Sequence, residues 1–142
     1  MKPEIDQILT FSAMKIMGEF APAMATQYGQ GMAQVVAGLM MMAAQEYDRA
    51  ADIRVAENRD MRALFRELAP GLSDAGLRGE LEAAAATHDT SLRISALNDS
   101  NQALRRLLIR LHAQMDDGGA DTSRIWNVLK AMATRRTLAL PG

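Results

Sequence analysis

The chain has 142 residues, of which 49% are hydrophobic and 23% are charged, and its net charge is −1. This balance is typical of one soluble globular domain and not of a disordered chain. Because the sequence contains no cysteine, it excludes disulfides, thiolate zinc sites, iron–sulfur clusters and cysteine nucleophiles. The near-neutral charge provides no general attraction for nucleic acid or anionic membranes, so we expect neither as a partner.

The first predicted helix covers about residues 4–20. Pro3 suits the start of a helix, and apolar residues such as Ile5 and Ile8 then recur at helical spacing. The Ala21–Pro22 step should end it.

The second predicted helix covers about residues 22–68 and ends at the Pro70–Gly71 turn. Apolar residues follow one another at steps of three or four along this segment. Two glycines at residues 29–31 each cost roughly 1 kcal/mol in a helix interior, so we expect a break or kink there.

An uncharged stretch from Phe20 to Gln45 resembles a membrane span at first sight. Its unbroken apolar part runs only from Val35 to Ala44, well short of the ~20 residues that cross a bilayer. A buried helix explains it better, and the N-terminus lacks the compact apolar region of a signal peptide. We therefore expect a cytoplasmic protein without a membrane partner.

The third predicted helix covers about residues 73–115 and shows the strongest periodic pattern of the chain. Ser73 is a suitable N-cap, and an apolar stripe continues to Met115 before two aspartates and two glycines. A short fourth helix is predicted at about residues 121–137, followed by a tail over residues 138–142.

These helices predict an all-α fold in one helical domain, residues 1–142. The short Pro70–Gly71 turn indicates a long antiparallel helical hairpin, in which Ile53 lies near His88. Residues 73–115 as one helix would be about 65 Å long, more than the ~40 Å across a compact domain of this size. The predicted architecture is therefore an elongated up-and-down helical bundle, with the two short helices at the open end of the hairpin.

The half of the hairpin nearest its turn has no third helix to cover it in this prediction. We expect a homodimer that pairs there in coiled-coil fashion, or a groove that binds a helical segment of another protein. The residues predicted to form this interface are Tyr47, Ile53, Met61, Leu64, Leu77, Leu81, His88 and Leu92.

No catalytic, metal or cofactor site is predicted. His88 would be a core or interface histidine that bonds a carboxylate such as Glu57, or else a pH-sensitive contact or metal ligand. The Glu-x-x-His pairs of di-iron bundles are absent, because Ala85 and Ile109 stand three residues before His88 and His112. Nucleophile-elbow, dinucleotide and Walker motifs are absent as well.

Methionines are concentrated in the uncharged region, at Met40–Met42 and at Met17, Met24 and Met32. Thioether side chains adapt to varied partners, which favours a binding groove. Three consecutive methionines point in three directions, however, which favours a helix buried on all sides in the core or a dimer interface.

Basic residues predominate from residue 102 onward, seven against three acidic ones. Trp126 is the only aromatic residue in this segment, so the pattern does not indicate nucleic-acid binding. We expect a solvated basic face that meets the acidic half of a second subunit.

Asn98 and Asn101, followed by Leu104 and Leu107, lie along one flank of the third predicted helix. Over this short stretch the chain resembles the late helix of bacterial flagellar hook–filament junction export chaperones. The resemblance implies an export-chaperone role as one alternative, and an enzymatic or small-ligand-binding bundle is another. The function best predicted from the residues is a non-catalytic helical interaction or adaptor protein that acts as an oligomer.

Overall fold

The computed structural model describes residues 2–139, and all regular structure in that range is helical, which confirms the all-α prediction. Six α-helices follow one another: α1 Ile5–Lys15, α2 Ala21–Ala23, α3 Gln27–Leu68, α4 Ala75–Ala85, α5 Ile94–Asp117 and α6 Ser123–Arg135. A π-helical turn, Ile16–Phe20, joins α1 to α2, and a 3₁₀ turn, Ala69–Gly71, follows α3. Within this range no helix is both long and apolar enough to cross a bilayer.

The chain divides into two compact units. Unit 1 is Met1–Ala50 with Leu138–Gly142, and unit 2 is Ala51–Thr137. Helix α3 runs through the boundary and contributes its first part to unit 1 and its second part to unit 2. That the whole chain behaves as one domain stays a prediction.

The break expected at residues 29–31 is wrong in position, because α3 begins earlier and includes both glycines. The interruption lies before Gln27, where Met24 has an extended backbone. The Thr26 hydroxyl accepts a hydrogen bond of 3.0 Å from the backbone N–H of Gly29. This is the bond of an N-cap residue, and it fixes the start of the helix.

The expectation of one helix over residues 73–115 is also wrong, since α4 and α5 are separated by residues 86–93. Thr87 donates a side-chain hydrogen bond of 2.6 Å to the carbonyl oxygen of Ala84. Such side-chain bonds to the backbone compete with helix continuation. Asp89, in the middle of the connection, accepts a bond of 2.9 Å from Arg62 on α3, so tertiary pairing stabilises the break.

The register of the predicted hairpin is not confirmed. Asn101 on α5 donates a hydrogen bond to Glu57 on α3, over 3.0 Å, and His88 lies in the exposed connection instead of facing Ile53. Because the third predicted helix divides in two, α4 and α5 take separate positions against α3. The facing positions therefore differ from those of two continuous helices.

Unit 2 has a core of large apolar side chains from α3, α4, α5 and α6. Its fully buried members include Phe65 and Met61 of α3, Leu81 of α4, Leu111 of α5 and Ile125 of α6. Helix α6 thus covers the half of the predicted hairpin nearest its turn, for which the sequence predicted no third helix. The expectation that this half lacks cover within the chain is wrong.

Unit 1 has a different interior. Among residues 2–50 every buried side chain is an alanine: Ala13, Ala21, Ala33, Ala37, Ala44 and Ala50. The tail joins this unit through Gln45, which exchanges two hydrogen bonds of 2.8 and 2.9 Å with the backbone of Ala139. Small interior side chains allow helix axes to approach closely, and they leave the large apolar side chains on the outside.

Candidate functional site

The outside of unit 1 carries most of the exposed apolar surface of the described chain. Twelve of the sixteen exposed large hydrophobic residues lie there, and we call this set the apolar surface: Ile5, Ile8, Phe11, Met14, Phe20, Met24, Tyr28, Met32, Val35, Val36, Leu39 and Tyr47. From Phe20 to Gln45 the sequence has no charged residue. Their concentration in one unit makes the apolar surface a candidate interaction site.

One row of this surface follows the first part of α3. The row, which we call the α3 seam, consists of Tyr28, Met32, Val35, Leu39 and Met42. Its first four members are between 45% and 78% exposed, and Met42 is half-buried. The steps between members alternate between four and three residues, which places all five on one side of the helix.

A groove flanks this row where the π-helical turn and α3 approach each other. It has a volume of about 430 Å³ and an almost wholly apolar lining: Ile16, Phe20, Met24, Gly29, Met32, Ala33 and Val36. A π-helical turn shifts the side chains that follow it around the helix axis, and such turns are frequent at functional sites. Because no ionisable group lines the groove, its surface suits apolar groups.

Unit 2 contains a buried polar network centred on Glu57, which is fully buried. Arg136 donates two hydrogen bonds to its carboxylate, over 2.7 and 2.9 Å, and Asn101 and Arg105 donate bonds of 3.0 and 3.3 Å. Burial raises the pKa of Glu57, but the bonds from Arg136, Asn101 and Arg105 outweigh it and hold the pKa below its ordinary value. The carboxylate is therefore a structural anion that joins α3, α5 and the end of α6.

A second part of the network surrounds Asp89. Its carboxylate accepts bonds of 2.9 Å from Arg62, 3.0 Å from Ser100 and 3.1 Å from Asn58. Burial raises the pKa of Asp89, and the bonds from Arg62 and Ser100 more than reverse that effect, so the pKa lies below its ordinary value. These contacts hold the connection between α4 and α5 against α3.

The structure does not pair His88 with Glu57. His88 is exposed, and Glu57 is occupied by arginines and an asparagine instead of meeting a histidine. His112 packs edge-on against Trp126, with ring centroids 5.4 Å apart. No group of three His, Asp or Glu residues within residues 2–139 could hold a metal ion.

The residues predicted to form an interface are divided by the structure. Five of them are buried in unit 2, Ile53, Met61, Leu64, Leu77 and Leu81, and their exposed fractions do not exceed 4%. Tyr47, His88 and Leu92 are exposed, Tyr47 in unit 1 and the other two between α4 and α5. An interface role for Tyr47, His88 and Leu92 stays a prediction. The five buried residues are already covered by other parts of the same chain.

The basic C-terminal segment pairs within its own chain. Arg110 forms an ion pair with Glu80, Arg124 with Glu67, and Arg135 with Asp60. Each of these three arginines thus has an acidic partner on α3 or α4 of the same unit, and contact of the basic face with a second subunit stays a prediction.

Sequence reasoning missed both the polar network and the side of α3 that faces outward. The asparagine at position 101 on an apolar flank was a signal for buried pairing, although its partners could not be identified. The alternating spacing of the α3 seam was visible too, but an apolar row predicts burial without specifying whether the same chain provides the cover. Of the clustered methionines, Met24 and Met32 are exposed and Met40–Met42 half-buried, so the chain itself does not bury this helix on all sides.

Comparison with known proteins adds no relative: no family model matches the sequence, and no curated protein or solved structure is significantly similar to it.

Proposed function

We propose that the chain is a non-catalytic helical interaction protein, and that it acts as an oligomer through the apolar surface of unit 1. The observation that supports this proposal most strongly is that unit 1 buries small apolar side chains and exposes large ones. Its interior contains alanines, while twelve larger apolar side chains face outward. A second surface that covered them would complete the unit as α6 completes unit 2.

The energetics of burial favour this proposal. Fully burying a Leu, Val, Phe or Met side chain contributes about 1.5–3 kcal/mol, whereas an alanine has only one side-chain carbon to remove from water. Unit 1 therefore gains little from its own interior and has much to gain from association. Helices whose apolar residues lie on the outside are a common means of recognition between proteins.

The charge distribution indicates the kind of partner. The uncharged segment between Phe20 and Gln45 offers no ion pairs, so it does not suit a strongly charged partner. A partner must present apolar side chains of its own. A helical segment of another protein, such as an export chaperone binds, is the alternative to a second copy.

The oligomer can be tested by light scattering coupled to gel filtration over the micromolar range. We expect a mass that exceeds 15.5 kDa and rises with concentration. The double variant Phe11→Gln, Leu39→Gln should shift the chain toward 15.5 kDa. A control pair in unit 2, Ile94→Gln with Ile109→Gln, also replaces exposed apolar side chains and should leave the mass unchanged.

A single 15.5 kDa species at every concentration would contradict the oligomer. An equal loss of mass in both double variants would contradict the assignment to the apolar surface, because the control pair lies outside unit 1.

Binding of a small apolar ligand is a second candidate function, and the groove beside the π-helical turn supports it. Its volume of about 430 Å³ falls within the range of ordinary ligand pockets. Native mass spectrometry of the purified chain should then show an added small-molecule mass that detergent displaces. A native mass equal to that of the bare chain would contradict ligand binding. The interaction proposal would then be the one that stands.

A further inference from the structure

We infer that the partner at the apolar surface is a second copy of this chain, and that the two copies meet along the α3 seam. This inference rests on the proposed function and specifies its partner. The seam comprises the five residues already defined, from Tyr28 to Met42.

The spacing of the seam is that of a helix that pairs with another helix. Steps of four, three, four and three residues connect its five members. This is the 3.5-residue repeat that keeps one apolar row facing a partner helix along its length. Four of the five side chains are exposed within the chain, so the row is available for such pairing.

The opposite side of the same helix already provides the packing inside unit 1. Ala37 is fully buried, and it lies about 160° around the helix from Val35, which is 54% exposed. Ala33 and Ala44 are buried on that side as well. Most of the seam therefore remains exposed after packing within the chain, so another molecule can cover it.

The chemistry of the seam identifies a second copy as its occupant. No residue from Phe20 to Gln45 is charged, so a charged partner gains no ion pairs from this segment of α3. The absence of lysine and arginine from this segment also removes the electrostatic attraction that anionic lipids would add. An uncharged apolar row with a heptad spacing is the complement of itself, and a two-fold axis would bring two such rows together.

Two glycines beside the seam provide an independent observation. Gly31 and Gly38 are seven residues apart, and a Cβ atom added at either would meet nothing within 4 Å. Glycine is unfavourable in a helix interior, and no contact within the chain requires it at these positions. A partner helix that approaches closely beside the seam would use the space that both glycines leave.

The test compares two charge substitutions, one inside and one outside the proposed interface. Val35→Glu places a carboxylate in the seam, and Gln102→Glu places the same group at an exposed position of α5 in unit 2. Sedimentation equilibrium over the micromolar range should show a dimer for the wild-type chain and for Gln102→Glu. Val35→Glu should weaken dimerisation by at least about tenfold, because both copies would bury a carboxylate at the same interface.

Gly38→Leu is a second variant, for which the expected effects on helix stability and on dimerisation have opposite signs. Leucine favours the helix, so circular dichroism should show no loss of helix, while the filled gap should weaken the dimer by about tenfold. A change that acted only through helix stability would strengthen association or leave it unchanged. That result would contradict the close approach at Gly38.

The outcomes separate this inference from the proposed function. Wild-type mass in Val35→Glu, Gln102→Glu and Gly38→Leu would overturn pairing along the seam, while the oligomer itself would stand. A wild-type chain that is monomeric throughout would overturn both. A monomeric chain that co-sediments with phosphatidylcholine vesicles, and loses this property in Val35→Glu, would make a lipid surface the occupant and overturn the second copy.

Discussion

The two units differ in which apolar residues they bury. Unit 2 encloses Phe65, Met61 and Leu81 among four helices and adds a closed polar network around Glu57. Among residues 2–50, unit 1 fully buries alanines alone and exposes side chains as large as Phe11, which is 64% exposed. Helix α3 takes part in both units, so one continuous helix changes its inward residue type along its length.

This difference separates two sources of stability. The interior of unit 2 is supplied by its own chain, and its arginines neutralise the acids that it buries. The interior of unit 1 provides little apolar burial, so its large side chains depend on contact with another surface. Substitutions that remove large side chains should therefore act on folding in unit 2 and on association in unit 1.

The largest contrast is expected between two phenylalanines. Phe65→Ala opens a cavity in the core of unit 2 and should lower the free energy of unfolding by about 3–5 kcal/mol. Phe11→Ala removes the same atoms from an exposed position and should change it by less than about 0.5 kcal/mol. Urea unfolding of dilute, dissociated chains measures both. Equal losses would show that unit 1 buries its apolar residues after all.

The polar network should show the next largest effect. Glu57→Gln removes the charge that two arginines and an asparagine contact, and should cost about 1–3 kcal/mol of unfolding free energy. Glu67→Gln is the matched control, because Glu67 also pairs with an arginine but lies in solvent. Its unfolding midpoint should not change measurably. Similar losses in the two variants would contradict a special role for the buried carboxylate.

Acid should weaken unit 2 through the same carboxylates. The pKa values of Glu57 and Asp89 are lowered in the folded chain, so their stabilisation is fully present above the ordinary carboxyl range. It is lost as the pH falls below about 4 and through the lowered pKa values. Unfolding midpoints measured from neutral pH downward should fall, and they should fall less steeply in Glu57→Gln. Parallel curves of unfolding midpoint against pH for the wild-type chain and for Glu57→Gln would show that Glu57 does not cause this pH dependence.

The smallest expected effect is a gain in stability. Gly38→Ala adds a methyl group in open space on α3 and should stabilise the dissociated chain by up to about 1 kcal/mol. Thermal unfolding of dilute chains, followed by circular dichroism, would measure it. A loss of stability at low concentration would show that unit 1 already uses this space.

The sequence was sufficient for the fold class and for several helix ends. Helical spacing of apolar residues, Pro70–Gly71 and the glycines after α5 all act locally, so they can be read without a structure. The break between α4 and α5 was missed because the apolar spacing continues across it. Its stabilising contacts join Asp89 to Arg62 and Ser100, which only the folded chain brings together.

The candidate site was harder to predict for a physical reason. Helix α3 has two apolar sides in unit 1, one of alanines and one of larger residues, and transfer energies favour burial of the larger ones. The structure buries the alanines instead. Local pattern cannot decide between these sides, because the choice depends on how closely the neighbouring helix approaches.

The central claim is that association covers the apolar surface of unit 1, and methionine oxidation tests it most directly. Met32 lies in the α3 seam and is 45% exposed within the chain, whereas Met61 in the core of unit 2 is fully buried. With dilute hydrogen peroxide and peptide mass analysis, Met32 should oxidise rapidly at low protein concentration and become protected as the concentration rises. Met61 should stay protected throughout. Rapid oxidation of Met32 at every concentration, at an unchanged rate, would contradict the claim.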